Sequence, residues 1–241
     1  MSEDRIYSVP LECVGDFEFD ERVVEVFPDM INRSVPGYAS VLAMTCELAE
    51  RYACPGARIY DLGCSLGAAT FLIRTRIPRD CTIHAIDSSP AMVQRLRELI
   101  ASNHEPGCHV EVVADDIRNV NLHSAHFAIL NFTLQFIPVA GREPLLQAIA
   151  DGITEGGALV LSEKVHFDDA AQQELMTELH HSFKRAHGYS DLEIAQKRSA
   201  LENTLVTETI ETHIDRLRSV GFSNVSLWFQ CFNFVSILAV K

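Results

Sequence analysis

The chain has 241 residues, 47% hydrophobic and 22% charged, with a formal net charge of −13. Such a chain can bury a full core, which excludes a disordered protein, and its acidity opposes direct binding to phosphate backbones. Seven scattered cysteines without a CxxC pair fit reduced thiols rather than a disulfide scaffold or a zinc ribbon. No apolar run approaches the roughly 18 residues of a membrane span. The opening MSEDRIYSVP has two acids among its first four residues and no apolar stretch. A cytoplasmic protein without a signal peptide is therefore expected.

In chain order, residues 39–52 read as an amphipathic helix, preceded by a less regular arm. Residues 58–62 form a first buried strand, 67–76 a helix and 82–87 a second strand. Ser89 can then cap a helix with Pro90 at its first position, and Met92, Val93, Leu96, Leu99 and Ile100 give that helix one apolar face. Residues 109–113 alternate as a third strand, 127–132 form a fourth, and 158–162 a fifth, entered through a Gly156-Gly157 turn. Between the last two lies a helix with Leu145, Leu146, Ile149 and Ile153 on its inner face. Residues 166–203 are polar and helical in pattern and read as an insertion over the mouth of a site. A helix at 208–220, ended by Gly221, precedes strands 224–230 and 232–240. The link between these strands is too short for a crossover, so they must pair antiparallel.

The pattern predicts one α/β domain over residues 1–241. Its fold is Rossmann-like, the methyltransferase fold, with a mostly parallel seven-stranded sheet ending in an antiparallel hairpin. Residues 1–56 form an N-terminal helical arm, and 166–203 the insertion after strand 5.

The strongest local signal is YDLGCSLG at 60–67, which ends a strand and opens a helix. Ligands of open α/β sheets sit at such strand ends, where small residues allow close backbone approach and a helix N-terminus offers free N–H groups. Asp61, Gly63, Ser65 and Gly67 match the first motif of S-adenosylmethionine binders. A dinucleotide fingerprint would need glycine where Ser65 stands. Asp87 ends the second strand, where a carboxylate can accept ribose hydroxyls. Asp116-Ile117 follows the third, where the side chain can accept from an adenine amino group and the backbone can donate to the ring. Asp115 reads as a solvated neighbour. Asn131 ends the fourth strand and either contacts the methionyl part or is simply wetted by solvent.

Longer stretches go further: FPDMI (27–31), RSVPGY (33–38), YDLGCS (60–65), NFTLQF (131–136), LSEK (161–164), FKRA (183–186), QKRS (196–199), LEN (201–203) and LWFQCFNF (227–234). In these the chain resembles the carboxy-S-adenosyl-L-methionine synthases, including in the arm and the insertion. The resemblance implies conversion of S-adenosylmethionine and prephenate into carboxy-S-adenosylmethionine and phenylpyruvate. In the implied mechanism prephenate loses carbon dioxide and hydroxide as it aromatises. The hydroxide deprotonates the sulfonium methyl, and the resulting ylide captures the carbon dioxide. The resemblance also implies a homodimer and a partner tRNA carboxymethyltransferase, which uses the product on wobble uridine. Carried over, the cofactor contacts fall on Tyr38, Gly63, Cys64, Ser65, Asp87, Ser88, Asp116, Ile117, Asn131 and Arg198, with Arg198 and Tyr38 closest to the chemistry. Ser88 stands where the family often has asparagine.

Arginine suits a new carboxylate because its planar fork matches the anion, while a solvated helix charge is the plainer reading of Arg198. Arg33, Lys197 and Arg185 are cationic candidates for holding prephenate. His180, His181, His187, His123 and His126 lack metal-ligand spacing and are expected to be solvated, with no metal bound. Cys64 at a helix N-terminus reads as a small neutral side chain. Trp228, Phe229, Phe232 and Phe234 read as core or dimer contacts. Two other functions share the nucleotide contacts: a conventional small-molecule methyltransferase, and a non-catalytic S-adenosylmethionine-binding subunit of a tRNA-modification complex.

Overall fold

The computed structural model describes residues 2–241. Strands β1 (Arg58–Leu62), β2 (Thr82–Asp87), β3 (His109–Ala114), β4 (Ala125–Asn131) and β5 (Ile153–Lys164) pair in parallel in the order β3-β2-β1-β4-β5. Of the two last strands, β6 (Asn224–Cys231) lies at the sheet edge, and β7 (Phe234–Val240) runs antiparallel between it and β5. Strand order reverses between β1 and β4, which opens a cleft beyond the carboxyl ends of these strands.

Side-chain alternation along the strands splits the core in two. Phe127 and Ile129 of β4 face one layer with Ile59, Ile83 and Val160, whereas Ala128 and Leu130 face the other with Leu62, Leu146 and Ile237. These side chains are buried because the strands are covered on both faces by helices.

Helices α1 (Glu21–Ser34) and α2 (Tyr38–Tyr52) precede β1. The region before α2 is thus more regular than its sequence suggests. Asp20 caps α1 by accepting from the Val23 N–H at 3.0 Å, and Val23, Val26 and Met30 bury one face. That burial outweighs the backbone donor lost at Pro28. Helices α3 (Ala68–Arg74), α4 (Pro90–Ser102) and α5 (Val139–Gly152) follow β1, β2 and β4. Ser89 accepts from the Met92 N–H at 3.2 Å with Pro90 behind it, as the spacing predicts.

The glycine pair departs from expectation. Pairing of β5 with β4 already begins at Ile153↔Ala125, is interrupted, and resumes at Ala158↔Phe127. Gly156, with φ +75°, therefore lies in a bulge inside β5 rather than in a turn before it. Ile153 is correspondingly the first residue of the strand, not the last of the helix face.

The insertion forms α6 (Ala170–Ala186) and α7 (Asp191–Leu201), the latter started by a capping box of Ser190 and Glu193. Helix α8 (Ile210–Ser219) then leads into β6. The N-terminal segment is tied to α7. The Phe17 N–H donates to the Ala200 carbonyl at 2.9 Å, and the Gln196 amide donates to the Tyr7 and Val9 carbonyls at 2.9 Å each. Arm and insertion thus form one cover over the strand ends.

Candidate functional site

A cavity of about 430 Å³ lies beneath that cover, at the carboxyl ends of β1, β2, β4 and β5. Its floor follows from the turn after β1. The Gly63 and Cys64 N–H groups both donate to the Ile86 carbonyl, at 2.8 and 2.9 Å, which fixes the turn against β2. Gly63 has φ +81°, and a Cβ there would lie 2.4 Å from the Thr133 side chain. No other residue fits without moving the loop after β4. Ser65 also takes a positive φ of 49°, stabilised by its N–H donating to Asp87 Oδ2 at 2.8 Å.

Asp87 accepts a second backbone bond, from Ser89 at 2.8 Å, so one carboxylate ties the turns after β1 and β2 together. Burial still raises its carboxyl above the ordinary value. Asp61 is fully buried, accepts from the Thr70 hydroxyl at 2.6 Å, and is pushed up to about 6 by burial, with Asp87 adding to the effect. Burial and the same two carboxylates drive the Cys64 thiol well above its usual range, so it stays protonated. Asp116 accepts from the Arg118 guanidinium at 2.5 Å, which holds its carboxyl below the usual range. Arg118 lines the cavity beside it.

The loop after β4 forms the next wall. Phe132 has φ +59°, a strained value for an aromatic residue. Glu163, buried in β5, holds this loop by accepting from the Leu134 and Gln135 N–H groups at 2.9 Å each. Burial pushes its carboxyl up to about 8. Among the described residues the buried Asn131 Oδ1 has no hydrogen-bond partner.

The cover supplies aromatic and cationic side chains. Phe19 packs edge-on against Phe17, Phe27 and Phe136, with centroids 5.1, 6.1 and 5.4 Å away. Lys164 at the end of β5, Lys184 and His180 on α6, and Lys197 on α7 line the other end of the cavity. Lys197 donates to the Ser34 hydroxyl at 3.0 Å and pairs with the buried Asp4 at 3.5 Å. Tyr189 also donates to Asp4. Burial and mutual repulsion lower Lys184 to about 7, and burial above all lowers Lys197 to about 8.

Tyr38, Gly63, Cys64, Ser65, Asp87, Ser88, Asp116, Ile117 and Asn131 all line this one cavity. Arg198 does not; it is exposed on α7, near enough for its charge to lower Lys164 and His181. Of the further cationic candidates only Lys197 lines the cavity. Arg33 is engaged with Asp29 at 3.0 Å and with the His187 carbonyl, and Arg185 pairs with Asp191 outside.

His180 corrects the expectation of solvated histidines. It is 5% exposed, packs edge-on against Phe234 at 4.9 Å, bonds the Ser34 carbonyl at 2.8 Å, and is lowered to about 2 by burial and the neighbouring lysines. The apolar wall it completes lies on other elements, which is why helical spacing alone did not reveal it. Lys164 and Lys184 are among the lining residues that sequence reasoning missed. Their signal was present inside the LSEK and FKRA stretches, but nothing local distinguishes a buried lysine from a solvated one.

A methyltransferase-domain family model matches residues 59–157, the span from β1 into β5. The carboxy-S-adenosyl-L-methionine synthase of Klebsiella pneumoniae subsp. pneumoniae is 54% identical over 239 residues, covering 99% of this chain and 96% of that protein. The enzyme of the same name from a Geobacter species (strain M21) is also 54% identical, covering 99% and 98%. Among solved structures, human N-acetylserotonin methyltransferase in complex with S-adenosylmethionine superposes with a TM-score of 0.62 at 18% identity, covering 92% of this chain and 55% of that one. That likeness concerns the fold.

Proposed function

The chain belongs to the carboxy-S-adenosyl-L-methionine synthases, and from that premise we propose that its cavity brings S-adenosylmethionine and prephenate together under one cover. The observation that supports this reading is one cavity that gathers strand-end carboxylates and a cluster of three lysines.

The strand-end half suits the nucleoside. Asp87 and Asp116 face it as acceptors for ribose and adenine, with the Ile117 N–H beside them. Asn131 brings a buried oxygen in need of a donor, which an ammonium or hydroxyl of the ligand would satisfy. Asp61 and Asp87 give this half the negative field that a sulfonium favours. Tyr38, tilted against Phe132 with centroids 6.2 Å apart, stays a neutral phenol because burial raises it.

S-adenosylmethionine supplies the methyl carbon that ends as a carboxymethyl group. Prephenate supplies the carboxyl as carbon dioxide and a hydroxide that leaves with a methyl proton as water, and phenylpyruvate is the other product. The chain's own work is to hold two ligands in contact and to exclude bulk water that would divert them. The aromatic roof and the tied arm and insertion suit that work.

Arg198 is the fork for the new carboxylate in this reading. It reaches the site by a movement of α7 or from the second subunit of a homodimer. The enzyme acts in the cytoplasm and hands its product to a tRNA carboxymethyltransferase. The net charge of −13 leaves RNA contact to that partner.

Mass spectrometry of the small molecule carried by purified protein tests the reading, followed by incubation with both substrates. A ligand with the mass of S-adenosylmethionine plus carbon dioxide is expected, with phenylpyruvate released in equal amount. S-adenosylmethionine or S-adenosylhomocysteine alone, with no conversion of prephenate, would restore ordinary methyl transfer.

A further inference from the structure

Three lysines line one end of the cavity, and they are not equivalent. Lys197 is engaged internally with Asp4 and with the Ser34 hydroxyl. Among the described residues neither the Lys164 nor the Lys184 ammonium has a hydrogen-bond or ion-pair partner, although Lys184 is 7% exposed. A buried cation left unpaired is costly, and folds retain one where a ligand supplies the counter-charge.

The surroundings limit what that ligand can be. Tyr38, Phe132 and Phe234 stand in the same cavity, and Phe132 packs edge-on against Phe234 with centroids 6.0 Å apart. His180 lies against Phe234 as a neutral ring and adds no charge. A flat apolar body between such rings, with an anionic group at each lysine, fits these walls. Inorganic phosphate would leave the apolar surface uncovered.

We propose that Lys164 and Lys184 form a dicarboxylate subsite, one ammonium for each carboxylate of a small cyclic substrate, and that Lys197 with Asp4 fixes the cover above it. The assignment rests on the two-substrate reading of the cavity and adds the residues that hold the second substrate. Their role is to bind and position: one carboxylate stays with the phenylpyruvate product, and the other, which leaves as carbon dioxide, is held toward the sulfonium methyl. It also gives the N-terminal segment a function. Asp4 comes from the arm, accepts from Tyr189 after α6, and occupies Lys197, so the carboxylates are directed to the two lysines left over.

The test is titration of the S-adenosylhomocysteine-loaded protein with phenylsuccinate, a non-reacting aryl dicarboxylate, beside steady-state turnover of prephenate. Lys164→Met and Lys184→Met keep the length and the apolar stem of the side chain. Each should weaken phenylsuccinate binding and raise KM for prephenate by about tenfold or more, while affinity for S-adenosylhomocysteine stays within about twofold. Lys164→Arg or Lys184→Arg, which retain the charge, should restore part of the loss. Three results would overturn the subsite: methionine variants that bind the dicarboxylate within about twofold of wild type, no restoration by either arginine variant, or no binding of either dicarboxylate by the wild type. Phenylsuccinate binding that depends on both lysines, without turnover of prephenate, would sink the proposed substrate and leave the subsite standing.

Discussion

The floor of the cavity and its cover solve the same problem, holding a charged ligand, by opposite means. The floor is made of strand ends and the turns that follow them. Its central carboxylate is tied to backbone: Asp87 takes one N–H from Ser65 and one from Ser89. The cover is made of helices and an arm drawn from both ends of the chain. Its charges are tied to one another or left open, as in Asp4 with Lys197, and Lys184 with no partner among the described residues. A site held by backbone is set once the sheet forms. A site held by side chains across distant segments forms only when the cover closes, and it can change its charge with its ligand.

Removing the floor's anchor should have the largest effect. Asp87→Ala frees two backbone donors in neighbouring turns and removes the acceptor proposed for the ribose. Affinity for S-adenosylhomocysteine should fall about 100-fold, or about 2.8 kcal/mol, as read by calorimetry. An affinity within threefold of wild type would show that the turns hold without their carboxylate, and the contrast between floor and cover would fail. Next in size is Arg198→Ala. Formation of carboxylated product should drop about tenfold or more while S-adenosylmethionine affinity changes little. Equal small losses of both would return Arg198 to an ordinary solvated charge.

The same contrast explains what could be read from sequence. YDLGCSLG, Asp87 and Asp116-Ile117 each sit within a few residues of a strand whose apolar pattern is plain, so local spacing places them. The succession of strands along the chain and the antiparallel hairpin at its end were legible for the same reason. The regularity of α1 was hidden because Pro28 breaks a local rule that burial of Val23, Val26 and Met30 overrides. Lys184 and His180 were hidden because their burial depends on Phe234, Lys164 and Ser34, which come from other parts of the chain. No window along α6 contains those neighbours.

Between pH 7 and 9 ligand binding should respond through the cover's lysines rather than through the carboxylates that line the cavity. Lys184 is lowered to about 7 by burial first, then by Lys197 and Lys164, with Asp4 acting in the opposite direction; His180 and His181 face the same cluster. A bound carboxylate favours the protonated amine, so binding above pH 7 must take up a proton. Dicarboxylate affinity should therefore fall as pH rises from about 7 to 9, by at most about tenfold per unit for each lysine that titrates. Over the same range affinity for S-adenosylhomocysteine should hold, because burial leaves Asp61 at about 6, Asp116 is held below the usual range, and Glu163, pushed up to about 8, does not line the cavity. A pH-independent dicarboxylate affinity would mean that the lysines stay charged without ligand.

The smallest effect is expected where a sequence reader looks for reactivity first. Cys64 lies in the turn between β1 and α3, just before a helix, a position that often lowers a thiol's pKa. Here the N–H groups that would stabilise a thiolate are spent: those of Gly63 and Cys64 go to the Ile86 carbonyl, and that of Ser65 goes to Asp87. Two buried carboxylates stand nearby, and the thiol is pushed up rather than down. A neutral group of this size acts only by filling space. Cys64→Ala should leave kcat within about threefold, with a slightly raised KM from the small void in the cavity floor. Loss of turnover by 100-fold or more, or rapid alkylation of Cys64 at neutral pH in the ligand-free protein, would show a thiolate there. It would also show that the floor is less fixed than its backbone bonds imply.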